Sequence, residues 1–207
     1  MSTAPRLTDQ KRQAIIDAAI AEFRQGGFQS TSMDQVAARA EVSKRTVYNH
    51  FPSKDALFAE ILLQLWQRSM SGAELVYSPE RPIREQLLEL IGRKLELLAD
   101  ASFLDLARVA IAEAIHAPER AQSMIARFGE KEEGVLIWLR AAVADGRLAL
   151  PDPVFAAHQL QGLVKSFAFW PQIAMGQPSP NAAERQQIAA SSVDMFLAYY
   201  QPPQSDQ

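Results

Sequence analysis

The chain has 207 residues, of which 48% are hydrophobic, 22% are charged and none is cysteine, and its formal net charge is −3. That length and apolar content support a substantial core in one large or two small domains, and the lack of cysteine excludes disulfides, thiolate redox sensing and cysteine-ligated zinc. The charge is uneven, with eight Lys/Arg against six Asp/Glu in residues 1–55 (a net of +2) and 13 against 18 in the remainder (a net of −5), so positive charge collects near the amino end.

Strand signals are nearly absent, and Pro and Gly punctuate long stretches of 3.6-residue periodicity. The reading is all-α, with about nine helices. The first starts at Thr8 or Asp9, buries Ile16, Ala19, Ile20 and Phe23, and stops at Gly26 and Gly27, after which Phe28 returns to the core. Thr31 and Asp34 have capping-box spacing, so a second helix is expected from about Ser32, with Met33, Val36, Ala37 and Ala40 as its apolar face. Glu41 and Val42 make a tight turn, and Ser43 caps a third helix over residues 44–50. Val47 and Phe51 point to the core, which leaves Lys44, Arg45, Thr46, Tyr48 and Asn49 facing outward. Pro52 ends that helix. Ser53 caps a longer one, over residues 54–75, whose buried stripe is Leu57, Phe58, Ile61, Leu62, Leu65 and Trp66.

Two short helices at a tight turn, the second polar on one side, are the pattern of a helix-turn-helix whose second helix enters a DNA groove. Lys44 and Arg45 can donate to guanine, Asn49 can pair with adenine, and Thr46 can bond or touch a thymine methyl. Tyr48, His50 and Lys54 are placed for phosphates, as are Thr31, Ser32 and Met33 at the start of the second helix. The pattern Ser43-x-x-Thr46-x-Tyr48-x-His50-Phe51-x-x-Lys54-x-x-Leu57, preceded by Val36-Ala37, resembles the TetR family of bacterial transcriptional regulators. Where that family usually has glycine in the turn this chain has Glu41, a non-glycine residue at a position where positive φ is expected.

Downstream, residues 77–82 form a loop with two prolines, followed by helices over 83–99, 103–117 and 118–145, the last closed by Gly146. Asp152 and Pro153 open an eighth helix that ends near residues 171–176. Asn181 and Glu184 open a ninth, ending near Tyr200. The domain reading is a DNA-binding domain over 1–53, a ligand-binding and dimerisation domain over 54–201, and a disordered tail over 202–207. The segment from Phe167 to Gln172 is similar to regulators with an AefR-like C-terminal domain.

What the family resemblance implies is a homodimer on a palindromic operator, joined through the last two long helices, and a small-molecule effector held in the body. The interface candidates are Phe155, Leu163, Phe169, Val193, Phe196 and Tyr200. Pocket candidates are Trp66, Phe103, Arg108, Met124, Phe128, Trp138 and Phe167, and a largely apolar effector is expected. Glu113 and His116 have a di-iron ligand spacing, but no second Glu-x-x-His exists, so no metal, cofactor or enzymatic activity is expected. The first residues lack the apolar core of a secretion signal and no run is long enough to span a membrane, so the expected location is cytoplasmic, with no membrane partner. The alternative is a helical DNA-binding architectural or division-control protein whose body binds a protein.

Overall fold

The computed structural model describes residues 7–71, 75–119, 122 and 134–202. Ten helices occur among them: α1 (Leu7–Ser30), α2 (Met33–Arg39), α3 (Lys44–His50), α4 (Lys54–Ser71), α5 (Ile83–Ala99), α6 (Ala101–His116), α7 (Gly134–Ala144), α8 (Pro153–Ala168), α9 (Trp170–Ala174) and α10 (Ala182–Tyr200). No strand occurs among the described residues. The expected pocket residues Met124 and Phe128, residues 120, 121 and 123–133 of the helix expected over 118–145, and the tail beyond Pro202 lie outside them. The described residues fall into two compact units, one within Met1–Trp66 and Asp105–Glu130, the other within Gln67–Leu104 and Lys131–Gln207. The division runs through α4 and α6.

The amino-terminal unit is built on an aromatic cluster. Gly27 (φ 80, ψ 161) breaks α1 as its sequence requires, and lets Phe28 fold back beside Phe23 and Phe58 at centroid distances of 5.3 and 5.1 Å. Around that trio pack Ile15, Ile16, Ala19, Val36, Ala37, Val47, Phe51, Leu57 and Ile61, all buried. The capping box of α2 sits one residue later than the sequence spacing suggests. The Ser32 hydroxyl accepts from the Gln35 amide at 3.2 Å, and the Gln35 side chain accepts from the Ser32 amide at 2.7 Å. Thr31 is instead turned inward, donating from Oγ1 to the Gly27 carbonyl at 2.9 Å.

The second unit packs α10 against α5 and α8, with α7 on α8 and α9 folded back on α8. Asp152 caps α8 by accepting from the amides of Val154 and Phe155, and Asn181 with Glu184 forms the capping box of α10. The expected eighth helix is split, which is why ten helices stand where about nine were expected. Pro171 has no N–H to give the Phe167 carbonyl and crowds the turn before it. The chain therefore leaves helical geometry at Phe169 (φ −134, ψ −62) and restarts with proline in the first turn of α9. The Gln172 side chain offers its amide to the Phe167 carbonyl at 3.4 Å and to that of Pro178 at 3.1 Å.

The connection between α4 and α5 is held by side chains from elsewhere. Fully buried Gln86 accepts from the Ser78 amide at 2.8 Å and donates to the carbonyls of Ser78 (2.8 Å) and Arg81 (3.0 Å). Arg147 donates to the carbonyls of Pro79 (3.1 Å) and Arg81 (2.8 Å). Burial, and then a hydrogen bond donated to Asp145, push the Tyr77 phenol above its usual pKa.

Candidate nucleic-acid interface

The turn between α2 and α3 is closed by the amides of Glu41 and Val42, which donate to the carbonyls of Ala38 (3.2 Å) and Ala37 (3.1 Å). Glu41 has φ 54, the left-handed region expected from the missing glycine. An L-residue there costs on the order of 1–2 kcal/mol, partly offset because glycine would lose more freedom on folding. Glu41→Gly should therefore stabilise the protein by about 0.5–1 kcal/mol. The readout is a higher urea midpoint at an unchanged slope; a lower midpoint would mean the glutamate side chain contributes more than its strain removes.

Ser43 caps α3 by accepting from the Thr46 amide at 3.1 Å, and its hydroxyl also bonds the Thr46 hydroxyl at 2.8 Å. Buried Val47 and Phe51 anchor one side of this seven-residue helix, and Lys44, Arg45, Tyr48 and Asn49 stand exposed on the other. Thr46 and His50 lie half-buried at its edges. Lys44 pairs with Asp34 on α2 at 2.5 Å, but both side chains are more than half exposed, so the pair is weak and open to exchange for a phosphate. Arg45 has no ion-pair partner among the described residues, which leaves its full guanidinium fork available.

Three residues read as DNA contacts have side chains that are buried or engaged within the chain. Thr31 (4% exposed) and Met33 (8%) are buried and present almost no side-chain surface, so what they could offer a phosphate at the start of α2 is backbone N–H groups. The Lys54 ammonium donates to the carbonyls of Phe28 (2.6 Å), Gln29 (3.0 Å) and Thr31 (2.8 Å) and lies 4.6 Å from the Phe28 ring centroid. All three of its protons are engaged, so in this state none is left for a phosphate. One clue was legible: a lysine in the first turn of a helix opposes the helix dipole and needs another reason to be there. Ser32 is exposed, with its hydroxyl engaged in the cap.

In the second unit the interface candidates separate by register. Val193, Phe196, Tyr200 and Phe169 are buried within the chain. Phe155 is exposed and Leu163 half-exposed. The outward apolar residues of α10 are Met195 and Tyr199 (78% exposed), which the sequence reading missed because it could not tell which apolar face of the helix was inside. Of the pocket candidates, Phe103 and Trp138 are buried, and Trp66 and Arg108 are half-buried, Arg108 donating to Asp105 at 2.8 Å. Phe167 is 60% exposed and borders an open cleft of about 430 Å³ with Gln172, Pro178, Ile188 and Ser191. Glu113 is buried and His116 exposed, which separates the two members of the metal-like spacing.

A capped turn and a short helix with one polar face, in a chain that also carries a second helical unit, define a helix-turn-helix DNA-binding regulator. Residues 15–61 match the family model "Bacterial regulatory proteins, tetR family", and residues 85–202 match "AefR-like transcriptional repressor, C-terminal domain". The chain belongs to the TetR family of transcriptional regulators. It is 54% identical to a TetR family transcriptional regulator of known structure from Pseudomonas syringae pv. tomato str. DC3000, over 95% of this chain and all of that one, with a TM-score of 0.82. It is 29% identical to the HTH-type transcriptional regulator RutR of Escherichia coli (strain K12) over 175 residues, 81% of this chain and 79% of that protein. A solved structure of the flavonoid-responsive regulator FrrA is 27% identical, covering 94% of this chain and 98% of that one, with a TM-score of 0.69. Among the described residues no helix is long and apolar enough to cross a membrane.

Proposed function

We propose that the protein is a homodimeric repressor that binds a palindromic operator and leaves it when a small, largely apolar effector enters the body. The observation that carries the DNA reading is the exposed face of α3, with Arg45 unpaired beside Tyr48 and Asn49. Seven residues read few base pairs, and two-fold symmetry supplies a second helix about 34–36 Å away, in the next turn of the major groove. The outward apolar residues of α8 and α10 support the dimer. Met195 and Tyr199 border a cleft of about 460 Å³ with Gly162, Leu163 and Ser166, a hollow that suits a side chain from a second copy. The flavonoid-responsive relative supports a small aromatic effector. α4 and α6 each contribute residues to both compact units, and that continuity supports them as the elements through which an occupied body changes the spacing of the two readers.

Selection of bound sequences from a random duplex library with purified protein tests this directly. A palindromic consensus is expected. Salt-sensitive binding without enrichment would favour the architectural reading instead. Arg45→Ala should weaken binding to the selected operator about 5- to 150-fold and relax preference at one base pair per half-site, with little loss on random DNA. Equal loss on both would reassign Arg45 to the phosphates.

A further inference from the structure

Trp138 on α7 is 1% exposed, and its indole Nε1 has no hydrogen-bond partner among the described residues. Indole nitrogen only donates, and a buried donor is nearly always paired in a native protein. Its helix neighbours Val135, Leu139 and Ala142 are buried and apolar, so they offer no side-chain acceptor. The aromatic neighbour is Tyr77, whose ring stands edge-on at a centroid distance of 5.3 Å and an interplanar angle of 74°. The single side-chain oxygen of Tyr77 is already engaged, donating to Asp145 at 2.5 Å and accepting from Arg147 at 3.5 Å. An aromatic ring therefore covers the indole while leaving its N–H unmatched.

We propose that Trp138 is a ligand-specificity residue, and that its Nε1–H receives the carbonyl oxygen of a flat, uncharged aromatic ketone whose ring displaces that of Tyr77. This rests on the reading that the body holds an effector, and it names the chemistry of that effector. The donor demands an acceptor. The apolar surroundings penalise a charged one. The T-shaped pair puts an aromatic ring against the indole, the place a ligand ring would take. The Tyr77 hydroxyl is held at its rim by one hydrogen bond to Asp145 and a longer one from Arg147, while the neighbouring backbone is pinned through Gln86 and Arg147, so the ring can leave by side-chain rotation with the connection intact.

The test uses 9-fluorenone and its carbonyl-free analogue fluorene on the full-length protein. One readout is tryptophan fluorescence. The other is the ¹H–¹⁵N resonance of the Trp138 indole, assigned by its loss in Trp138→Phe. Wild type should bind fluorenone about tenfold more tightly than fluorene, with the Trp138 Nε1–H resonance shifted by the ketone alone. Trp138→Phe should bind the two equally, and Tyr77→Ala should bind fluorenone more tightly because no ring has to leave. Absence of fluorenone binding, binding with the Trp138 indole unshifted, or a ketone preference that survives Trp138→Phe would overturn the proposal. Operator binding measured in parallel separates it from the reading beneath it. Fluorenone bound at Trp138 with operator affinity unchanged upholds the site and overturns the effector role.

Discussion

Lys54→Met should destabilise the amino-terminal unit by about 2 kcal/mol and lower operator affinity only to the extent that the reading helix is no longer held. Hydrogen bonds to charged groups contribute about 1.5–3 kcal/mol each where they are dry. Here one ammonium serves three carbonyls, at 2.6, 2.8 and 3.0 Å, and is itself only half-buried, so the sum is well below three such bonds. The carbonyls belong to Phe28, Gln29 and Thr31, the segment after the Gly27 break, where the chain turns from α1 into α2. Methionine keeps the aliphatic stem against the Phe28 ring and removes only the charge and its donors. The measurement pairs a urea melt with operator titrations at several salt concentrations. A lower midpoint with an unchanged salt slope is expected. An unchanged midpoint with the slope reduced by about one unit would restore Lys54 to the phosphate backbone.

Charging the outer face of α10, as in the double variant Met195→Glu, Tyr199→Glu, should leave a folded monomer that binds a palindromic operator about 100- to 10,000-fold more weakly. Both side chains are exposed in the single chain, so their replacement empties no core. Four carboxylates would then face one another across the two-fold axis of the proposed dimer, where like charges are costly to desolvate. The large loss follows from bivalence, because the second reading helix binds at an effective concentration set by the first. Sedimentation gives the assembly state and titration with a half-site and a full site gives the coupling. A variant that remains dimeric would move the interface elsewhere. A monomer with full operator affinity would remove symmetry from the mechanism.

Much of the fold was legible because it is written in local signals. Ser43, Ser53, Asp152 and Asn181 act as helix caps at the positions where their side chains could reach free amides. The break at Gly27 followed from the conformational freedom of glycine, and the left-handed Glu41 from the glycine that the TetR resemblance places in that turn. The failures share a different cause, since they concern which of two similar residues faces inward. Thr31 and Ser32 each head a capping-box spacing, and only the packing of α1 beneath them buries the first and frees the second. In α10 Val193, Phe196 and Tyr200 were read as a surface and are core, while Met195 and Tyr199 hold the surface. Periodicity separates two faces of a helix but does not say which one the rest of the molecule covers. The role of Lys54 was hidden for a related reason, because convergence of three carbonyls from a distant segment leaves no trace in spacing.

The connection between α4 and α5 looks, in sequence, like an ordinary surface turn shaped by its prolines. In the structure its path is dictated by Gln86 and Arg147, which grip its carbonyls from α5 and from the turn after α7. Backbone carbonyls are the same for every amino acid, so these bonds hold Ser78, Pro79 and Arg81 whatever their side chains. The spelling of that turn is thus free to drift while its geometry stays fixed, and the positions that would betray a change of shape lie elsewhere in the chain. Two homologues with unrelated residues at 79–81 can share the turn if they keep a glutamine and an arginine in these places, and two with identical turns can differ if they do not.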